Sequence, residues 1–137
     1  MESMLQELGI DIGAHMLYFL VSIVLMVVFV ALYTAVTPHR ELPLIRAGNT
    51  AAAISLGGAV IGYSLPLAYA VAQSGNLADM LIWSAVALIA QLVAYGITRL
   101  LLPTLLADVD AGKIAPAIFL AALSIAMGVL NAAAMTD

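Results

Sequence analysis

Residues 47–58, Ala-Gly-Asn-Thr-Ala-Ala-Ala-Ile-Ser-Leu-Gly-Gly, return without a gap 64 residues later as Ala-Gly-Lys-Ile-Ala-Pro-Ala-Ile-Phe-Leu-Ala-Ala at 111–122. From Ala47 to Ile61 seven of fifteen positions are identical: Ala47, Gly48, Ala51, Ala53, Ile54, Leu56 and Ile61. The same offset lays Met16-Leu17 on Met80-Leu81, Thr34 on Thr98, Leu42 on Leu106 and Ala68 on Ala132. Apolar stretches, connectors and motif travel together. The chain therefore reads as a duplicated hairpin, with repeat 1 over about 14–72 and repeat 2 over about 79–135 of a single 137-residue domain.

The surroundings of the motif say where such hairpins reside. The chain is 65% apolar and 9% charged, against about 25% charged in an ordinary soluble protein. Four apolar stretches, roughly 14–37, 50–72, 79–102 and 113–135, each have about the 20 residues that a helix needs to cross the bilayer. Lipid offers backbone groups no hydrogen bonds, so a span is a helix or part of a closed barrel. Residues 20–32 are almost continuously apolar rather than alternating, which selects helix. The expected fold is an all-α polytopic membrane protein of four transmembrane helices. An even number of spans per repeat makes both copies enter in the same direction, the parallel class of internal repeat.

The acidic tail with Glu2, Glu7 and Asp11 is unlike the positive start of a signal peptide, so the first span reads as retained. Met1, Leu5, Leu8 and Ile12 share one face of a short turn that either lies in the interface or is disordered. Arg40 and Arg46 fall between spans one and two, and Arg99 and Lys113 bracket the connector between spans three and four. The positive-inside rule places that side in the cytoplasm and both termini outside.

Composition narrows the function classes. With no cysteine there is no disulfide or thiolate site, and with only four basic residues there is no basic surface for nucleic acid. No ionisable group lies near the centre of a span, where pumps and voltage sensors place one. No catalytic or haem-ligating motif is present, so neither an enzyme nor a cofactor is expected.

Several residues are candidates for packing or for a pathway. Gly58 and Gly62 form a GxxxG pair on span two beside Ser55 and Gly57, and Ala122 and Ala126 repeat the spacing on span four. Small residues let helices approach closely in lipid, within one chain or between copies; the other reading is a narrow solute path. Pro66 lies inside span two, where its ring crowds the Gly62 carbonyl. That predicts a kink, with Ser64 placed to satisfy the freed carbonyl. Gln91 is the most central polar side chain and needs an interhelical partner or a pore, while Asn131 lies toward the far end of span four. Asn49 and Thr50 cap span two, as Asp110 would for span four. Arg40, Arg46, Arg99 and Lys113 suit anionic lipid headgroups or a protein partner.

The motif at 47–58, together with Asp79, Trp83 and Gln91 and the run Gly128-Val129-Leu130-Asn131-Ala132-Ala133, resembles the YjfL-like family of bacterial inner-membrane proteins, a domain of unknown function in its two-copy form. The resemblance implies a small multi-pass plasma-membrane protein and a membrane-stress protein as partner class. It brings no activity, cofactor or catalytic residue. Two functional readings stay open. One is a structural or partner-binding component that self-associates through spans two and four and docks partners on Arg40, Glu41 and Arg46. The other is an oligomeric channel or small-solute permease lined by Ser55, Gly57, Gly58, Ser64, Gln91 and Asn131.

Overall fold

The computed structural model describes residues 1–38, 41–73 and 75–135, and among these it is helical, with no strand. Four helices are long and apolar enough to cross a membrane: α1 (Glu2–Val36), α3 (Thr50–Gln73), α4 (Leu77–Leu101) and α6 (Ile114–Ala134). Two six-residue helices, α2 (Glu41–Arg46) and α5 (Leu105–Asp110), occupy what sequence reading treats as plain connectors. Both bounds of α5 lie 64 residues beyond those of α2, and α6 starts 64 residues after α3.

The local chemistry at these joints is shared. Gly48 (φ +90°) follows α2 and Gly112 (φ +80°) follows α5, a left-handed conformation that a Cβ penalises. After α2, the Asn49 N–H bonds the Leu44 carbonyl at 2.9 Å and the Gly48 N–H bonds that of Ile45 at 2.9 Å. After α5, the Lys113 N–H bonds the Asp108 carbonyl at 2.8 Å and the Gly112 N–H bonds that of Val109 at 3.0 Å. Both are glycine C-cap motifs that stop a short helix and aim the chain into the next span. At the other side, the Asn76 side chain caps α4 by accepting from the Asp79 N–H at 2.8 Å. α1 and α4 stop two residues before Pro38 and Pro103, as the steric demand of proline on its predecessor requires.

α3 is the innermost helix, with Ala51, Ala52, Ser55, Leu56, Gly58, Ala59, Gly62, Tyr63, Pro66, Leu67 and Ala70 buried. It packs most extensively on α6, then on α4 and α1. Residue numbers rise together along the α3–α6 contact, so the two helices run in the same direction: Gly58 faces Ala121, and Gly62 faces first Ser124 and then Gly128. α1 sits outermost, and its buried residues are Phe29 and Tyr33. Phe29 stacks on Tyr63 of α3 with ring centroids 4.1 Å apart.

Two expectations change here. The N-terminal tail is neither a separate turn nor disordered; it continues α1, which begins at Glu2. At about 1.5 Å per residue α1 is about 52 Å long, well beyond the roughly 30 Å hydrocarbon core. On α6, Ala122 and Ala126 face outward; the buried face is Ala117, Leu120, Ala121, Ser124 and Gly128.

Candidate functional site

The small residues of α3 meet α6 at backbone distance. A Cβ on Gly58 would overlap Ala121, one on Gly62 would overlap the Ser124 carbonyl and the Gln91 amide, and one on Gly128 would overlap the Gly62 carbonyl. The last contact explains Pro66. Proline supplies no N–H to the carbonyl four residues earlier, and that carbonyl, on Gly62, lies against Gly128, the kind of close approach at which Cα–H···O contacts form between helices. Ser64 does not take the role expected of it; its hydroxyl donates to the Ile61 carbonyl at 2.7 Å. α3 runs through Pro66 unbroken.

Gln91 closes this seam from α4. It is fully buried, and its Nε2 donates to the Ser124 carbonyl at 3.1 Å. Gln91 Oε1, Ser124 Oγ and Asn131 Nδ2 are buried atoms with no hydrogen-bond partner among the described residues. The six residues expected to line an oligomeric path do not share an outer face. Ser55, Gly58 and Gln91 are buried within the protomer, while Gly57, Ser64 and Asn131 are half-buried. Ser55 bonds its own helix through the Ala52 carbonyl at 3.1 Å. Gly57 has open space where a side chain would sit.

At the end carrying α2 and α5, Asn49 ties the two joints together. Its Oδ1 accepts from the Ala52 N–H at 3.0 Å, capping α3, and its Nδ2 donates to the Val109 carbonyl at 2.8 Å. The residue 64 positions on is Lys113, which cannot accept a hydrogen bond; α6 has no side-chain cap, and Asp110 does not supply one. Lys113 pairs instead with Asp108 at 3.4 Å. A cleft of about 410 Å³ lies between the glycine turns, lined in part by Leu44, Gly48, Asn49, Asp110 and Gly112. Arg46, Arg99 and Lys113 are exposed at this end; Arg40 lies outside the described residues.

The same end holds a group that sequence reading misplaces. Glu41, expected on a docking surface, is 2% exposed. Thr37 Oγ1 lies 3.1 Å from its Oε1 and 2.8 Å from the Tyr33 carbonyl. Burial pushes the Glu41 carboxyl up to about 7, against the opposing effect of the Thr37 hydrogen bond. Tyr33, also buried, has a hydroxyl without a partner among the described residues, within electrostatic reach of Glu41. The Tyr95 ring meets Tyr33 edge-on at 6.2 Å, and the Arg99 guanidinium lies within electrostatic reach of the Tyr95 hydroxyl. A signal for this corner exists at the 64-residue offset: Tyr33, Thr37 and Glu41 fall on Ile97, Leu101 and Leu105. Among the described residues no three His, Asp or Glu side chains are grouped to hold a metal ion.

Comparison with known proteins agrees with this membrane architecture. Residues 4–135 match the family described as Domain of Unknown Function (DUF350). The chain is similar to the UPF0719 inner membrane protein YjfL of Escherichia coli (strain K12), at 33% identity over 119 residues, covering 87% of this chain and 90% of the relative. It is also similar to the UPF0719 transmembrane protein YshE of Bacillus subtilis (strain 168), at 27% identity over 86 residues, covering 63% of this chain and 64% of the relative. No solved structure matches it.

Proposed function

The chain belongs to the DUF350 family, and from that premise we propose that it is a non-enzymatic structural component of the bacterial inner membrane that binds a protein partner. The observation carrying this reading is the backbone contact of Gly62 with Gly128, closed from the side by Gln91. A conduit needs a continuous wet or small-residue path. Here Gly58 and Gly62 are spent on bringing α3 and α6 together, as membrane helices without a hydrophobic drive between them require. The long, largely exposed, apolar α1 and the relatives' names as inner membrane and transmembrane proteins fit a protein whose work is done in and at the membrane.

The partner surface in this reading is the end formed by α2, α5 and their glycine turns, with Arg46 and Lys113 exposed around the cleft. The positive-inside rule puts it in the cytoplasm, and the family resemblance points to a membrane-stress protein as partner. Flux through reconstituted vesicles tests the closed interior. The expected result is ion and small-solute leakage equal to that of empty vesicles; selective flux abolished by Gln91→Leu would replace the structural reading with the channel.

A further inference from the structure

We propose that Glu41 is a proton-binding site, with Thr37 as its hydrogen-bond switch and the Tyr33 hydroxyl beside it, at the corner where α1 meets α2. This goes beyond the structural role and does not depend on it.

Three observations carry the assignment. The first is position. Tyr33, Thr37 and Glu41 follow one another at four-residue spacing, and the positions 64 residues on hold Ile97, Leu101 and Leu105. Leu105 is buried at the start of α5 as Glu41 is at the start of α2. The joint can thus be built from apolar side chains, and a carboxyl at the buried position is not needed for its architecture. Burying one is unfavourable unless it is neutral or satisfied.

The second is the hydrogen-bond count. The Thr37 hydroxyl has one proton and lies between two acceptors, the Tyr33 carbonyl at 2.8 Å and Glu41 Oε1 at 3.1 Å. It donates to one of them at a time. With Glu41 protonated, the acid O–H donates to Thr37 Oγ1 and the Thr37 O–H donates to the Tyr33 carbonyl, so both contacts are hydrogen bonds. With Glu41 ionised, the Thr37 O–H turns to the carboxylate. The Tyr33 carbonyl still holds the Thr37 backbone N–H at 2.9 Å, so it is not stranded. One proton is gained or lost, one hydroxyl rotates, and the Thr37 hydroxyl exchanges the Tyr33 carbonyl for the carboxylate.

The third is the surroundings. From α1 the group is faced by the Tyr33 phenol, whose hydroxyl is buried and without a partner among the described residues. From α4 it is faced by Tyr95, which Arg99 engages from the exposed side. The first turn of α3, packed on α2, brings no titratable side chain. Arg46 lies on α2 itself but is exposed and turns back on the Leu42 carbonyl. Among the described residues the ion pair is Lys113 with Asp108, away from this corner. His39 and Arg40, which precede Glu41, lie outside the described residues.

The test is a titration of the full chain in lipid vesicles, with glutamate labelled at the side-chain carboxyl with carbon-13 and read by infrared spectroscopy. The chain has three glutamates, Glu2, Glu7 and Glu41, and the Glu41 signal is the one lost in Glu41→Gln. The expected midpoint for Glu41 is near 7; Thr37→Val moves it further up, and Thr37→Ser restores it. A wild-type midpoint at the ordinary glutamate value of about 4.3 would overturn the site, and needs no variant to fold. An unchanged midpoint in a folded Thr37→Val would overturn the switch. A midpoint that falls steadily as Na⁺ or K⁺ is raised would assign the corner to a metal cation and overturn the proton assignment.

Discussion

One added methyl group separates a packing glycine from an idle one in this chain. Gly128 faces the Gly62 carbonyl with no room for a Cβ, whereas Gly57 has open space. Gly128→Ala is therefore expected to destabilise the fold by about 1–3 kcal/mol, the usual cost of overpacking. Gly57→Ala should be neutral or slightly stabilising through helix propensity, by up to about 1 kcal/mol. Reversible denaturation in mixed micelles measures both, and equal effects would contradict the contact. Glu41 makes a residue-scale prediction of opposite character. Its carboxyl is raised from 4.5 to about 7, by burial first, so the folded form binds the proton more tightly than the unfolded one. Its contribution to stability is fully present below the unfolded value, is lost as pH rises from there through about 7, and is flat above. Stability measured against pH should show that decline in the wild type and lose it in Glu41→Gln. Glu41 was not legible as a buried group from its own neighbourhood, where Arg40, Glu41 and Arg46 read as a charged connector. What inverts the reading is α2, which starts at Glu41 and turns that residue inward beneath Thr37.

The four spans are legible because each depends on a property summed over about 20 residues, and composition alone supplies it. The short helices α2 and α5 are not, because six residues carry too little periodicity to separate a helical turn from a loop. Their ends, however, are written in the sequence: Gly48 and Gly112 are members of the repeated motif and are the described residues with positive φ. Neither glycine has a neighbour within reach of a Cβ, so substitution there tests backbone conformation and nothing else. Gly48→Ala and Gly112→Ala should each cost about 1–2 kcal/mol, the left-handed penalty of an L-residue, and the two losses should match. Asn49 breaks the equivalence. Asn49→Ala removes the cap of α3 and the bond to Val109, at about 1 kcal/mol or more. Lys113→Ala loses a partly exposed ion pair worth about 0–1 kcal/mol. Thermal unfolding of the four variants checks the pattern, and a Lys113→Ala loss as large as that of Asn49→Ala would show the pair to be structural. The helix faces were the least legible part. Gly58 and Ala122 hold equivalent positions in the motif, yet Gly58 is packed and Ala122 faces outward. Which side of a helix is buried depends on where its neighbours cross it, and in lipid apolar and small residues on either side are equally acceptable.

For the molecule as a whole, the parallel course of α3 and α6, with α4 returning between them, gathers Arg46, Arg99 and Lys113 at one end. The connector from Gln73 to Leu77 at the other end has no basic residue. Moving each of those charges across an energised membrane against its potential costs about 2.3 kcal/mol per 100 mV. Three such charges on short segments near span ends make the two orientations strongly unequal. The absence of native cysteine allows this to be read with single introduced thiols. Ala111 in the α5–α6 turn and Gly75 in the α3–α4 connector are both exposed, and a side chain at Gly75 meets open space. A membrane-impermeant maleimide applied to spheroplasts should modify Gly75→Cys directly and Ala111→Cys only after permeabilisation. The opposite order would turn the molecule over and place the Glu41 corner and the cleft between the glycine turns outside the cell. Equal labelling of both thiols without permeabilisation would mean that the charge asymmetry does not orient the chain. Lysine introduced at Gly75 weakens the asymmetry and should raise the external labelling of Ala111→Cys, whereas a neutral serine at the same position should leave it unchanged.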